Sequence, residues 1–124
     1  MKQKPFVYIS SPYTKGDSAI NVKFQLLIFT QMMDEKIVYP YAPLVSHFVH
    51  TTHPRLYEDW IAYDLAILRR MDALITLDAE YPDLLYIEYA KDSKGVAIEK
   101  QVARASKIPI FSRIDMLYAW AMEE

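Results

Sequence analysis

The feature that most constrains this chain is the alternation of short apolar runs with longer segments of helical periodicity. Four β-branched or aromatic runs predict strands, and each is followed by a stretch in which apolar residues recur every three or four positions. The predicted strands are Phe6–Ser10, Lys36–Pro40, Ala73–Leu77 and Ile108–Phe111. Near-continuous apolar strands joined by helical crossovers favour a parallel sheet. The sequence therefore predicts a doubly wound α/β domain of four or five strands with helices on both faces.

Four helices are expected after these strands. They begin after Asp17, at Leu56, near Lys94 and at Ile114. The apolar face of the first is predicted to contain Val22, Leu26, Phe29 and Met33. The stretch 42–54 is predicted to be a loop, and the aromatic-rich stretch 80–89 is either a flap or a short extra strand. No repeat or linker divides the chain, so we expect one domain over residues 1–124.

The charge balance and composition exclude several classes of function. The net charge is −2 and the basic residues are scattered, which argues against duplex nucleic acid as a partner. No apolar run approaches the roughly 18 residues of a membrane span, and the first residues lack a secretory signal pattern. With no cysteines, the chain has no thiolate ligands or disulfides. We expect a cytoplasmic protein without a membrane partner.

Cofactor and metal signatures are also missing from the sequence. The chain has two glycines and neither a dinucleotide-binding nor a Walker A motif. His47, His50 and His53 are spaced by three, but no second ligand cluster completes a zinc pattern. Ser10 and Ser11 follow a strand without the flanking glycines of a nucleophile elbow. We therefore expect no metal and no cofactor.

In a doubly wound sheet, ligands bind beyond the carboxyl ends of the strands. That rule selects residues 10–14, 42–53, 78–93 and those from 112 onward. Two carboxylates stand near such places. Asp64 shares the core-facing stripe of its helix with Tyr57 and Trp60, so it is either held for use at a cleft or caps a neighbouring loop at the wet margin of the stripe.

The second carboxylate, Glu99, lies in the second turn of the helix that begins at Ser93–Gly95. Ser93 can cap this helix, Gly95 permits close backbone approach, and the free amides of a helix start favour an anion. The residues alone leave two interpretations of Glu99 open. It belongs to a ligand site at the helix start, or it is exposed on the surface, as a glutamate in this position commonly is. The sequence marks Glu99 as a candidate without assigning it a role.

Three segments taken in order resemble the nucleoside 2-deoxyribosyltransferase superfamily, which includes deoxynucleoside 5′-monophosphate N-hydrolases. They are Val7–Tyr13, Asp64–Leu68 with Met71–Leu74, and Ser93–Glu99. The resemblance covers most of the chain. It implies a flavodoxin-like fold and cleavage of the N-glycosidic bond of a nucleoside or nucleoside 5′-monophosphate, by hydrolysis or deoxyribosyl transfer.

The resemblance also implies roles for individual residues. Glu99 is the implied nucleophile, Asp64 assists it, and Tyr8 lies near the sugar. The implied substrate contacts are Ser10, Ser11, Tyr13, Ser93 and Gly95, and Ser112 stands where a neighbouring subunit meets the site. A homodimer or higher homo-oligomer is expected, because small enzymes often dimerise to complete a site.

Two departures from the family pattern keep alternatives open. Residues 11–14 lack the arginine of the hydrolases' phosphate-gripping turn, and the stretch 78–93 is longer than their link. Its tyrosines either stack on a base or pack against a partner subunit. The other hypotheses are a non-catalytic domain of the same fold that binds or senses a nucleotide, and a purely structural protein.

Overall fold

The computed structural model of the chain describes residues 3–11, 18–46, 49, 52–76 and 94–123. Its strands are β1 (Phe6–Ser10), β2 (Tyr39–Tyr41), β3 (Ala73–Thr76) and β4 (Ile110–Phe111). Its helices are α1 (Ser18–Glu35), α2 (Pro43–Ser46), α3 (Tyr57–Leu68), α4 (Lys94–Ala105) and α5 (Ile114–Ala121). The predicted order of elements is confirmed. The short helix α2 is a correction, because it lies where a loop is predicted.

The four strands form one parallel sheet in the order β2-β1-β3-β4. Tyr8 in β1 stands opposite Tyr41 of β2 on one side and Leu74 of β3 on the other. The chain runs outward from β1 to β2 and then crosses back to β3, so the direction of winding reverses between β1 and β3. The architecture is the predicted α/β flavodoxin-like fold, and its ligand crevice is expected where the carboxyl ends of β1 and β3 meet.

Each face of the sheet has its own apolar core, because successive strand residues point to opposite sides. The core shared with α1 and α5 contains Val7, Ile9, Ile28, Met32, Val38, Ala42, Ala73, Ile75, Ile114, Leu117 and Tyr118. The core shared with α3 and α4 contains Tyr8, Leu68, Leu74, Ala103 and Ile108. Helices thus cover both faces, as predicted.

Two strands begin later than the sequence predicts, because a lysine first closes the preceding helix. Lys36 and Lys107 both have φ of 59°, in the left-handed region. The Lys36 amide bonds to the carbonyl of Met32 at 3.1 Å. The amides of Lys107 and Ile108 bond to the carbonyls of Arg104 and Ala103 at 3.1 and 2.8 Å, which is a Schellman motif. The Ile108 amide is therefore engaged in the end of α4 and does not pair in the sheet.

The buried face of α1 is rotated from the predicted one. Met33 is exposed, while Gln25, Ile28 and Met32 are buried. Apolar residues occur around much of the circumference of α1, so several stripes of helical spacing are present in its sequence. Packing against the sheet selects one of them, and that stripe includes a glutamine.

Candidate active site

The carboxyl ends of β1 and β3 meet the start of α4 at a buried hydrogen bond. Ser10 and Thr76, the last residues of the two strands, are partners in the sheet and both are buried. The Ser10 hydroxyl donates a hydrogen bond of 2.7 Å to Oε1 of Glu99. Glu99 lies in the second turn of α4, the next described helix after β3. The candidate site therefore occupies the crevice that the strand order predicts.

Glu99 faces inward because of its spacing within α4. It lies three residues after Val96 and four before Ala103, and these are the buried residues of the helix. Lys94 and Ala97 are exposed on the other side. The surface-exposed interpretation of Glu99 is therefore wrong, because only 9% of the residue is exposed.

Tyr8 lies two residues before Ser10 in β1 and so points to the same side of the sheet. It is fully buried, and its ring centroid lies 5.6 Å from that of Tyr41. Burial raises the pKa of the Tyr8 phenol far above its usual value, and the negative charges of Glu99 and Asp64 raise this pKa further. The phenol is therefore protonated at any physiological pH.

The Tyr8 hydroxyl lies against the Glu99 carboxyl without an ideal alignment. Within the described residues this hydroxyl makes no hydrogen bond of regular geometry. It nevertheless favours the ionised carboxylate, because the nearby Tyr8 hydroxyl lowers the pKa of Glu99.

Asp64 reaches the same site from α3. It lies one turn before Leu68 on the core-facing side of that helix, and 8% of the residue is exposed. Its charge raises the pKa values of both Tyr8 and Glu99, so the carboxylate stands near both groups. The position predicted for Asp64 on the buried stripe is confirmed, and two carboxylates share one crevice.

The pKa of Glu99 lies near neutrality. Burial raises its pKa from 4.5 to about 7. The hydroxyls of Tyr8 and Ser10 lower the pKa of Glu99, and the charge of Asp64 raises it. The Glu99 carboxyl therefore changes its charge near neutral pH, and shifted pKa values of this kind are concentrated at functional sites.

Gln25 is a polar residue of the site region that the sequence did not reveal. It is fully buried in α1 and donates from Nε2 to the Ile9 carbonyl at 3.2 Å and to Ser11 Oγ at 2.7 Å. Its Oε1 accepts the backbone N–H of Leu44 at 2.8 Å. The available signal was its spacing of three and seven residues from Ile28 and Met32, which places an amide in an apolar stripe.

The structure describes only some of the other predicted substrate contacts, and not all of these lie near Ser10 and Glu99. Ser11 is buried beside Ser10, and Gly95 is half-buried in the first turn of α4. Ser112 is exposed just after the edge strand β4, so it is not part of the Ser10–Glu99 cluster. Tyr13 and Ser93 lie outside the described residues, as does the stretch 80–89.

Asp72, which belongs to the resembling segment Met71–Leu74, lies at the opposite edge of the sheet. Its Oδ2 accepts the backbone N–H of Phe6 at 2.9 Å, where β1 begins. Because the strands are parallel, Asp72 lies at their amino ends, whereas Glu99 lies at their carboxyl ends. Asp72 therefore anchors the start of β1 and is separate from the candidate site.

A metal site and a membrane span are both absent from the part of the chain that the structure describes. There, no group of three His, Asp or Glu side chains is arranged to hold a metal ion. His53 is exposed, and His47 and His50 lie outside the described ranges. None of the described helices has the length and apolar character needed to cross a membrane.

Comparisons with protein-family models, with curated proteins and with solved structures found no match to this chain. The geometry establishes a buried glutamate that accepts a hydrogen bond from a serine and lies near a tyrosine and an aspartate, at the carboxyl ends of β1 and β3 in a flavodoxin-like fold.

Proposed function

We propose that this chain cleaves the N-glycosidic bond of a nucleoside or nucleoside 5′-monophosphate, by hydrolysis or deoxyribosyl transfer, with Glu99 as the nucleophile. The observation that carries the proposal is the buried Glu99 carboxyl, bonded by Ser10 and accompanied by Tyr8 and Asp64. A carboxylate sheltered from water is suited to an anomeric carbon that develops positive charge as its bond to nitrogen lengthens. The proposal also draws on the family resemblance of the three segments.

The proposed reaction has two steps. In the first, a Glu99 oxygen bonds to the anomeric carbon while the carbon–nitrogen bond breaks. The bonding electrons leave with the base, which takes up a proton, and the sugar is held as an ester of Glu99. In the second step, water or the nitrogen of another base attacks the same carbon, loses a proton, and releases Glu99 as a carboxylate.

The neighbouring groups have separate tasks in this scheme. Ser10 orients the attacking carboxylate through its 2.7 Å hydrogen bond and favours the ionised form. The protonated phenol of Tyr8 supplies a second hydrogen toward the same carboxylate. Asp64 is the candidate to relay a proton from water to the leaving base or to orient a sugar hydroxyl.

The test is incubation with adenosine, 2′-deoxyadenosine and their 5′-monophosphates, and with the matching cytosine, guanine and uracil or thymine compounds. Chromatography measures free base, and a second added base reveals transfer. We expect base release that falls about a thousandfold or more in Glu99→Gln and Glu99→Ala. Glu58→Ala is the matched control, since Glu58 is exposed in the first turn of α3. If Glu99→Ala releases base as fast as the wild type, Glu99 is not the nucleophile.

The same panel separates the alternatives. A compound that raises the unfolding temperature of the wild type without being cleaved would indicate a non-catalytic nucleotide-binding domain, because ligand bound only to the folded state stabilises it. If no compound of the panel is cleaved and none raises the unfolding temperature, a structural protein is favoured.

A further inference from the structure

Gln25 links two segments at the carboxyl edge of the sheet. One contains Ser11, the residue after β1, and the other contains Leu44 in α2, which follows β2. The single side-chain amide of Gln25 bonds to both, through Ser11 Oγ at 2.7 Å and the Leu44 N–H at 2.8 Å. Because Gln25 is fully buried, water does not compete for these bonds.

The partners of Gln25 allow only one orientation of its amide. The Leu44 N–H can only donate, so it must meet Oε1, and the Ile9 carbonyl can only accept, so it must meet Nε2. Ser11 Oγ also lies on the Nε2 side and therefore accepts a hydrogen from Gln25. The proton of the Ser11 hydroxyl must then point elsewhere, and within the described ranges it reaches no acceptor.

The adjacent residues Ser10 and Ser11 at the end of β1 therefore bond to different partners. Strand alternation turns Ser10 toward α4, where its proton is engaged by Glu99, and Ser11 toward α1 and Gln25. We propose that Gln25 is a positioning residue that holds Ser11 as a hydrogen-bond donor to an oxygen of the ligand. The ligand class rests on the proposed function: such acceptors on a nucleoside or nucleotide are sugar hydroxyls and phosphate oxygens.

A merely structural glutamine predicts different behaviour. If Gln25 only satisfied buried backbone groups, its loss would lower stability without affecting the contribution of Ser11 to substrate binding. If Gln25 acts through Ser11, removing either residue should remove the same interaction, and removing both should cost no more than removing one. The loss should raise KM and leave kcat nearly unchanged, because a bond made equally in the ground and transition states is lost.

The experiment compares four variants for the panel compound that is cleaved fastest: Gln25→Met, Ser11→Ala, the double variant, and Gln31→Met. Gln31 is exposed on the same helix and provides the matched control. We expect each of the first two to raise KM about five- to tenfold, with kcat within about twofold, as for loss of one neutral hydrogen bond. The double variant should equal Gln25→Met. A product of the two effects, about 25- to 100-fold, would overturn the proposal.

A second variant tests the donor to Ser11 while keeping the hydrogen bond to Leu44. At pH 9, where the carboxyl is ionised although burial raises its pKa, Gln25→Glu keeps an acceptor for the Leu44 N–H and offers Ser11 an oxygen in place of an N–H donor. The Ser11 proton is then drawn away from the ligand. We expect a similar rise in KM with Leu44 still held. An unchanged KM in Gln25→Glu would overturn the role assigned to Ser11. Comparing the Ser11→Ala effect on a nucleoside and on its monophosphate shows whether the acceptor is a sugar or phosphate oxygen.

Amide hydrogen exchange tests the hydrogen bond from Leu44 to Gln25 whether or not any compound is cleaved. In Gln25→Met the Leu44 amide should exchange at least about tenfold faster than in the wild type, relative to the Ile75 amide in β3. Gln25→Glu and Gln31→Met should leave it protected. If the wild type cleaves nothing but the Leu44 amide is selectively exposed to exchange in Gln25→Met, the proposed function fails and the hydrogen bond from Leu44 to Gln25 stands. If Leu44 is unaffected, the positioning role fails whatever the activity.

Discussion

The hydroxyl of Ser10 and the carboxyl of Glu99, 89 positions apart in the chain, are joined by a hydrogen bond of 2.7 Å. This bond lowers the pKa of Glu99, while burial and the charge of Asp64 raise it. The balance lies at a pKa of about 7. Removing any one of these influences is expected to move the protonation of Glu99 in a direction that the structure specifies.

The pH dependence of base release should follow the ionisation of Glu99. A nucleophilic carboxylate must be ionised, and the ionised fraction falls about tenfold per pH unit below the pKa of about 7. We expect kcat/KM to be level above about pH 7.5 and to decline on the acid side with an apparent pKa near 7. Initial rates between pH 4 and 9 measure this. An acid limb near pH 4.5 would mean that Glu99 titrates as an ordinary exposed glutamate.

Ser10→Ala should move the acid-side decline of kcat/KM to higher pH. The variant removes a hydrogen bond that favours the ionised carboxylate, so the pKa of Glu99 rises and less of it is ionised at a given pH. We expect kcat/KM at pH 6 to fall about five- to tenfold, with a smaller loss at pH 9. Ser106→Ala is the control, because Ser106 is exposed just after α4. An equal loss at both pH values would show that Ser10 does not act on the ionisation of Glu99.

Asp64→Asn should move the acid-side decline of kcat/KM to lower pH. Removing the negative charge of Asp64 lowers the pKa of Glu99, so more of the carboxylate is ionised at pH 6. If Asp64 also transfers a proton to the leaving base, kcat on the plateau should fall about 10²- to 10⁴-fold. Asp59→Asn, at an exposed position of α3, is the control. A plateau at the wild-type level would exclude Asp64 from proton transfer.

Glu99→Gln should stabilise the fold at high pH more than at low pH. The folded pKa of about 7 lies above the ordinary 4.5, so the contribution of Glu99 to stability is present below about pH 4.5 and is lost as pH rises through about 7. Glutamine has no such loss and still offers Ser10 an acceptor. The free energy of unfolding of the variant, relative to wild type, should improve by about 3 kcal/mol between pH 4 and 8.

Urea unfolding of both proteins at the two pH values measures this difference. The stability gained by Glu99→Gln should accompany loss of base release, as expected where a site holds a charge in a buried place. Parallel stability curves for the two proteins would show that Glu99 is not desolvated in solution.

Local patterns predicted much of this fold. β1 begins and ends where its apolar run does, and the stripe that contains Asp64 turns it inward. The same patterns placed the starts of β2 and β4 too early, since Lys36 and Lys107 look like ordinary surface lysines and only their left-handed φ values reveal the helix ends. The catalytic roles of Glu99, Asp64 and Tyr8 stay predictions, as do the contacts of Tyr13 and Ser93.

The sequence by itself determined the alternation of strands and helices and the inward-facing positions along them, because apolar periodicity is a property of neighbouring residues. It did not determine which stripe of α1 is buried, and so it did not identify Gln25 as a residue of the site region. The tertiary structure alone decided that Gln25 reaches Ser11 across 14 positions and that Ser10 reaches Glu99 across 89. The raised pKa of Glu99 depends on the same meeting of distant segments, because desolvation and neighbouring charges exist only once the chain has packed.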